Sequence, residues 1–305
     1  MRISTQSFYE QSRTAMGTQQ SNLLRVQQQL GAGTKILAPS DDPLSATRAL
    51  AVSQSVALNA QYAASRAHTR QTLSMEENVL QSVTTVLQSV KTQLIQAGGT
   101  LTDADRATIA TTLQSNLDQL QGLANSDDGN GQFLFAGFKS GTAPFVRLPG
   151  GISYLGDQGQ RLMQVDVSRQ MAGTDDGRSI FQSAGADVFA TLDTVIAALK
   201  IPVDNAGAVA QKNMTDALGK ANREITIAHD NVLTVRSSVG SRLQELDALD
   251  VTGDSRTLFD KSYLSDLQDL DYASAIAEFY QRQSSLQASQ QTFVKIQQIA
   301  LFNYL

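Results

Sequence analysis

Cysteine and tryptophan are both absent from this chain of 305 residues, and histidine occurs twice, at His68 and His229. Without thiols there is no disulfide, no thiolate zinc site and no cysteine nucleophile. Two histidines leave little for metal or proton-transfer chemistry. Basic residues are outnumbered, 24 against 29 acidic, and no Lys/Arg cluster offsets the formal charge of -5; a phosphate-binding surface, and with it nucleic acid as a partner, is not expected. Long apolar runs are missing as well. Met1 to Gln11 carry one arginine and no apolar h-region, and no stretch elsewhere is long enough to cross a bilayer, so neither a cleavable signal nor a membrane anchor is expected. Absence of Cys and Trp together fits a chain exported unfolded and used outside the cell.

What is present is a seven-residue stripe at both ends. Tyr9, Met16, Leu23 and Leu30 recur at that spacing near the N-terminus, with Ser12, Gln19 and Val26 as companions. Tyr272, Phe279, Leu286, Phe293 and Ala300 recur near the C-terminus, beside Ile276, Gln283, Gln290 and Gln297. Helices that pack side by side show this period, but an ordinary coiled coil has both columns apolar. One column of apolar side chains is too little to offset the entropy of ordering two terminal helices. The expectation is that the ends order when many copies pack together. Glutamine suits a surface exposed before assembly and covered after it, because its amide bonds equally to water or across packed helices.

Between the ends the pattern is stronger. Gly31 and Gly33 break the first helix; Ser40-Asp41-Asp42-Pro43 then reads as a cap and restart, Pro occupying the first helical position, where no N–H partner exists. A helix is expected over 44–97, its second half carrying Leu73, Leu80, Leu87 and Leu94 in one column and Val83, Val90 and Ala97 in the other. Gly98-Gly99 ends it, and Thr102 with Asp105 approximates a capping box for a third helix bearing Ile109, Leu113, Leu117 and Leu120. After the turn-rich Asn125 to Gly131 the period changes to alternation: Phe133 and Phe135, then Ile152 to Leu155, then Met163, Val165 and Val167, with Gly156-Asp157-Gln158-Gly159 as a hairpin turn. Helical period resumes at 187–199 and again after Asp204, where Leu218, Ile225, Val232, Val239 and Leu246 align beside Ala221, Ala228, Val235 and Leu249. This last seam matches the 73–97 seam across the insertion.

The fold class expected is therefore mainly α, a long antiparallel helical bundle formed by both chain ends with a small β-rich insertion in the middle. Residues 1–43 and 255–305 are expected as terminal helices, 44–135 and 187–254 as a helical rod, and 136–186 as a small β-rich outer domain. Paired carboxylates at Asp41-Asp42, Asp127-Asp128 and Asp175-Asp176 lie in turns or at helix starts, where Asp accepts backbone N–H bonds. Asp266, Asp269 and Asp271 lack calcium-loop spacing and read as helix-start charges. Both histidines read as exposed surface residues. No nucleophile elbow, phosphate loop or dinucleotide fingerprint occurs. Residues 138–186 contain neither histidine nor glutamate, which argues against an enzyme grafted onto the bundle. No catalytic activity, cofactor or metal is expected.

Arg2-Ile3-Ser4-Thr5, Ser40-Asp41-Asp42-Pro43, the helix ending Arg236-Ser237-Ser238-Val239-Gly240-Ser241-Arg242-Leu243 and Asp269-Leu270-Asp271-Tyr272-Ala273 together resemble the flagellin family of bacterial flagella. Gly131 to Lys139 (GQFLFAGFK) with Pro144-Phe145, and the closing Leu301-Phe302-Asn303-Tyr304-Leu305, are similar to the members of that family found where hook meets filament. The ending departs from the Leu-Arg close usual in a filament-forming flagellin, the alternative reading. The resemblance implies ends disordered in the monomer, export through the flagellar type III channel without a cleaved signal, and an extracellular place in the flagellum. It implies assembly with further copies into a helical tube between another hook-associated protein and flagellin, with an export chaperone on the C-terminal helix before export. Carried over by position, Tyr9, Met16, Leu23, Leu30, Tyr272, Phe279, Leu286, Phe293 and Ala300 would form the assembly interface.

Overall fold

A computed structural model describes residues 2–183, 185–204 and 206–302, with side chains left out at 2–6, at Phe8 and from Ile299 onward. In chain order the elements are α1 (Arg2–Ala32), α2 (Pro43–Ala97), α3 (Asp103–Ala124), β1 (Phe145–Leu148), β2 (Gly151–Tyr154), β3 (Leu162–Asp166), β4 (Arg169–Ala172), α4 (Gly177–Phe181), β5 (Gln182–Ser183), β6 (Ala186–Asp187), α5 (Val188–Leu199), α6 (Ala208–Gln268) and α7 (Tyr272–Phe302). The fold is mainly α with a small β insertion, as the periodicity requires. Two compact units divide the chain: residues 1–58 with 254–305, and residues 59–253.

The second unit holds the core. Leu73, Leu80, Leu87 and Leu94 of α2, with Val83, Val90 and Ala97, are buried in one cluster with Leu218, Ala221, Ile225, Ala228, Val232, Val239 and Leu246 of α6. α2 and α6 run antiparallel, since Arg236 pairs with Glu77 at 2.6 Å while Arg70, about two turns earlier on α2, reaches Asp247 at 2.9 Å, further along α6. α3 joins the core through Ile109, Leu113, Leu117 and Leu120. Its start is the expected capping box: Thr102 Oγ1 accepts from Asp105 N at 3.2 Å, and Asp105 returns the bond to Thr102 N at 3.2 Å. α5, apolar on most faces, packs along α3.

The insertion differs from the alternation in its pairings. Phe133 makes an isolated antiparallel bridge to Asp127 with no strand after it, and Leu134 and Phe135 are both buried in the loop that follows, where the Phe135 carbonyl accepts from Gly177 N of α4 at 2.9 Å. Gly156 to Gly159 is not a hairpin turn. The strands around it pair away from it, β1 with β2 and β3 with β4, through turns at Pro149-Gly150 and Val167-Ser168. Asp157 instead wraps the loop inward, its carboxylate accepting from the N–H groups of Phe138 (2.8 Å) and Gly159 (2.9 Å). With β5–β6, the described residues form three two-stranded antiparallel pairs rather than one sheet. Isolated hairpins are marginal on their own. β1–β2 is held by an aromatic cluster in which Phe145 lies 5.1–5.4 Å from the rings of Tyr154, Phe181 and Phe189.

Arginines tie β3–β4 to the helices. Fully buried Arg66 on α2 bonds Asp250 and gives Nη1 to the Val165 carbonyl at 3.0 Å. Arg169 clamps Glu245 in a two-point contact at 2.6 and 2.8 Å. Arg242 on α6 donates to the Ala172 carbonyl at 3.0 Å and pairs with Asp175. Asp175 is therefore an ion-pair residue, while its neighbour Asp176 caps α4 as expected. His229, expected at the surface, is half-buried with Nε2 unpartnered.

Glu76 lies fully buried against this group, accepting from Asp175 N at 3.3 Å with its second carboxyl oxygen unpartnered. Burial, reinforced by the Asp175 carboxylate and opposed by Arg242, pushes its pKa from 4.5 up to about 8. The folded chain thus binds a proton that the unfolded chain releases between those values, so stability is greatest below that window and declines as pH rises through it. Melting temperature should fall between about pH 5 and pH 8, and Glu76→Gln should flatten that decline while leaving stability at pH 5 close to the parent's. A Gln variant with an unchanged pH profile would show Glu76 to be ionised in the fold.

Candidate assembly surface

The first unit is built from α1 and α7 with the first turns of α2 and the last turns of α6, and little of it is sealed. Among its described side chains the buried apolar ones are Val26, Ala49, Leu267 and Ala275. On α1, Tyr9, Ser12, Met16, Gln19, Leu23 and Leu30 are half-buried around Val26, so the companion column read from the sequence faces inward. On α7 the Phe279–Leu286–Phe293 column is half-buried too. Its inward companions, however, are Ala275, Arg282, Ser289 and Ile296. Ile276, Gln290 and Gln297 are exposed, and Gln283 is half-buried.

The reason for that rotation is steric and polar together. Ala275 and Ser289 are small enough to let α1 approach, and the serines satisfy the amide that α1 brings: Gln19 Nε2 donates to Ser285 Oγ at 3.2 Å, and Ser289 Oγ donates to Gln19 Oε1 at 3.1 Å. Near the far end of the pair Tyr9 meets Phe293 edge to face, centroids 5.9 Å apart. The two helices are antiparallel, and the register set by these contacts brings Met16 level with Leu286 and Leu23 level with Phe279.

At the other end the pair is closed by backbone. Gly33 ends α1 with φ +72° and donates to the Gln29 carbonyl at 2.8 Å, the left-handed stop that favours glycine. A Cβ there would also lie 2.9 Å from the Tyr272 hydroxyl, so a side chain is refused twice. Leu270 N donates to Gly33 O at 3.1 Å and Lys35 N to Gln268 O at 2.8 Å, which joins the two connecting segments as a short antiparallel bridge. Asp271 caps α7 by accepting from the N–H groups of Ala273 and Ser274, and the Ser274 hydroxyl and N–H hold its carboxyl below the usual carboxylate range. Asp42 starts α2 the same way through Ser45. Both are caps, as their spacing suggests.

Of the nine residues singled out from sequence, Tyr9, Met16, Leu23, Leu30, Phe279, Leu286 and Phe293 are thus brought to one intramolecular seam. Tyr272 stands beside it, 52% exposed at the start of α7. The side chain of Ala300 lies outside the described residues. Apolar groups that the stripes did not flag face outward on the same unit, Leu258 (73% exposed) and Phe259 (71%) on α6 and Tyr280 and Val294 on α7, as does Ile276 of the companion column. The same unit carries a cleft of about 480 Å³ lined by Ile36, Leu37, Pro39, Pro43, Ala46 and Leu50. Exposed apolar side chains of this number on one unit point to contact surface where they adjoin, as Leu258 and Phe259 do. The adjacent pair Leu258-Phe259 has no place in a heptad column, and that misfit was its only signal in the sequence.

Among the described residues no three His, Asp or Glu side chains group as a metal site, and no helix is long and apolar enough to cross a membrane. What the arrangement offers is contact surface.

Phe293→Asp removes the Tyr9–Phe293 contact and sets a charge in the seam, which should cost several kcal/mol in any assembly that buries it, while the core of residues 59–253 is untouched. The main calorimetric transition should stay within about 2 °C of the parent's and polymerisation should be lost. A steep drop of that transition would make the terminal seam part of the folding core. Amide exchange on the dilute monomer provides a second check: residues 9–30 and 275–296 should exchange far faster than 83–90 and 232–239, and equal protection would remove the case for assembly-dependent order.

Comparison with known proteins agrees with this geometry. Residues 3–140 match the family described as the bacterial flagellin N-terminal helical region. Flagellar hook-associated protein 3 of Salmonella typhimurium is 42% identical, and that of Escherichia coli 39% identical, each alignment covering 99% of both chains. A solved structure of a putative flagellar hook-associated protein from Vibrio parahaemolyticus superposes with TM-score 0.68 at 27% identity, covering 75% of this chain and 100% of the other.

Proposed function

The chain belongs to the family of flagellar hook-associated protein 3, and we propose that its terminal helix pair is the surface through which copies stack into a tube. It is a structural subunit of the bacterial flagellum at the junction of hook and filament, not a filament-forming flagellin. The observation that supports stacking is the contrast in burial. The second unit holds an extended buried apolar core, whereas the first buries only Val26, Ala49, Leu267 and Ala275 among its described apolar side chains, leaves its seam half-open and turns Leu258, Phe259, Ile276 and Tyr280 outward.

In this reading Tyr9, Met16, Leu23, Leu30, Tyr272, Phe279, Leu286, Phe293 and Ala300 line the packed interior of the assembly, and the outward apolar groups meet neighbouring copies. One end of the stack contacts another hook-associated protein and the other contacts flagellin. Before export, the C-terminal helix offers its apolar side to a cytoplasmic chaperone; export then proceeds without a cleaved signal. No catalytic step is assigned.

A heterologous contact extends indefinitely only if each layer presents the surface the next one needs. Removal of a junction layer should therefore abolish everything beyond it, out of proportion to the number of copies lost. Cells lacking this chain should build complete hooks, carry no filaments and shed soluble flagellin into the medium. Filaments composed chiefly of this chain, or a deletion strain that releases no flagellin, would return the assignment to filament subunit.

A further inference from the structure

Three Asn or Asp residues in the turn at 125–131 precede a small residue, Ser or Gly, that eases intramolecular imide formation, in which the following backbone nitrogen attacks the Asn or Asp side chain. They differ in how the fold treats them. Asn125-Ser126 is locked: Asn125 Nδ2 donates to the Phe145 carbonyl at 2.8 Å, Phe145 N donates to Asn125 Oδ1 at 2.9 Å, and Ser126 N donates to the Leu123 carbonyl at 3.1 Å. Asp128-Gly129 is restrained as well. Gly129 N donates to Asp127 Oδ1 at 3.1 Å, while the Asp128 carboxylate accepts from Asn130 N (2.9 Å) and Gln132 N (3.1 Å). Those bonds hold its carboxyl below the usual range, and an ionised carboxylate is a poor electrophile.

Asn130-Gly131 has neither protection. Both residues are exposed, and Gly131 N donates to no acceptor among the described residues. Gly131 sits at φ +79°, and a Cβ built on it would meet nothing within 4 Å, so ring closure and the approach of water are unobstructed. The Asn130 side-chain amide does reach the Asp128 carboxylate, but in an exposed position where water competes for the bond.

We propose that Asn130 is a site of spontaneous deamidation, selected by the free Gly131 nitrogen in the open turn. The Gly131 nitrogen loses its proton to water and bonds to Asn130 Cγ; the Cγ–Nδ2 bond breaks, and the side-chain nitrogen leaves as ammonia. Water then opens the five-membered imide. Attack at Cγ yields aspartate, and attack at the main-chain carbonyl yields an isoaspartyl link with one extra methylene in the backbone. Either product adds a carboxylate beside Asp127 and Asp128. The isoaspartyl form also displaces Gln132, whose N–H and carbonyl both pair with Asp128, in the segment leading to buried Leu134 and Phe135.

The test compares the full chain, folded and in urea, during incubation in mildly alkaline buffer, using peptide mapping with fragment-ion localisation and enzymatic methylation of isoaspartyl groups. Folding should slow deamidation at Asn130 by less than about tenfold and at Asn125 by more than about tenfold. In the folded chain, Asn130→Gln should abolish the isoaspartyl signal from this peptide. Protection of Asn130 by tenfold or more, equal reaction at Asn125, or an isoaspartyl signal that survives the Gln variant would each overturn the assignment.

Discussion

The leucine column of α2, from Leu73 to Leu94, closes against Leu218 to Leu246 of α6 across the whole stretch from α3 to α5, and the other parts of the second unit are arranged by that closure. Both columns are buried along their length, and long-range apolar contact of this kind repays the entropy of bringing distant segments together. Once α2 and α6 are side by side, α3 and α5 have a surface to cover. The hairpins, each too small to stand alone, then gain a support.

Polar contacts decide where the hairpins attach. Arg66, Arg169 and Arg242 reach from or onto the two helices to β3–β4 and its flanks. Arg66 and Arg242 are buried at their contacts, where removing one partner leaves the other charge without solvent, whereas Arg169 and Glu245 pair in the open; these contacts specify position more than they add net stability. The buried Glu76 beside Asp175 and Arg242 is the extreme case, a carboxyl kept neutral by its surroundings.

The first unit follows the opposite economy. Its seam uses small and polar residues, Ala275, Ser285, Ser289 and Gln19, where the second unit uses leucine. Close approach of two backbones and satisfied amides define the register, but little apolar area leaves water. That division suits the stacking proposed for the terminal helices of this flagellar protein.

Local chemistry determined the helices, their breaks and their caps, and these were legible from the sequence: the Thr102–Asp105 box, the stop at Gly33, the restart at Pro43, and the columns of α2 and α6. Each depends on residues within one or two turns of each other, and period and capping are local properties. Tertiary structure alone decided which side of the Phe279–Leu286–Phe293 column turns toward α1, because that rotation depends on what the partner presents, here Gln19 seeking serines. It likewise decided the strand pairing around Gly156 to Gly159, the burial of Phe135 in a loop, and the meeting of Glu76, Asp175 and Arg242 from three distant segments. None of these has a sequence period, since each is the outcome of surfaces brought together only after the helices have closed.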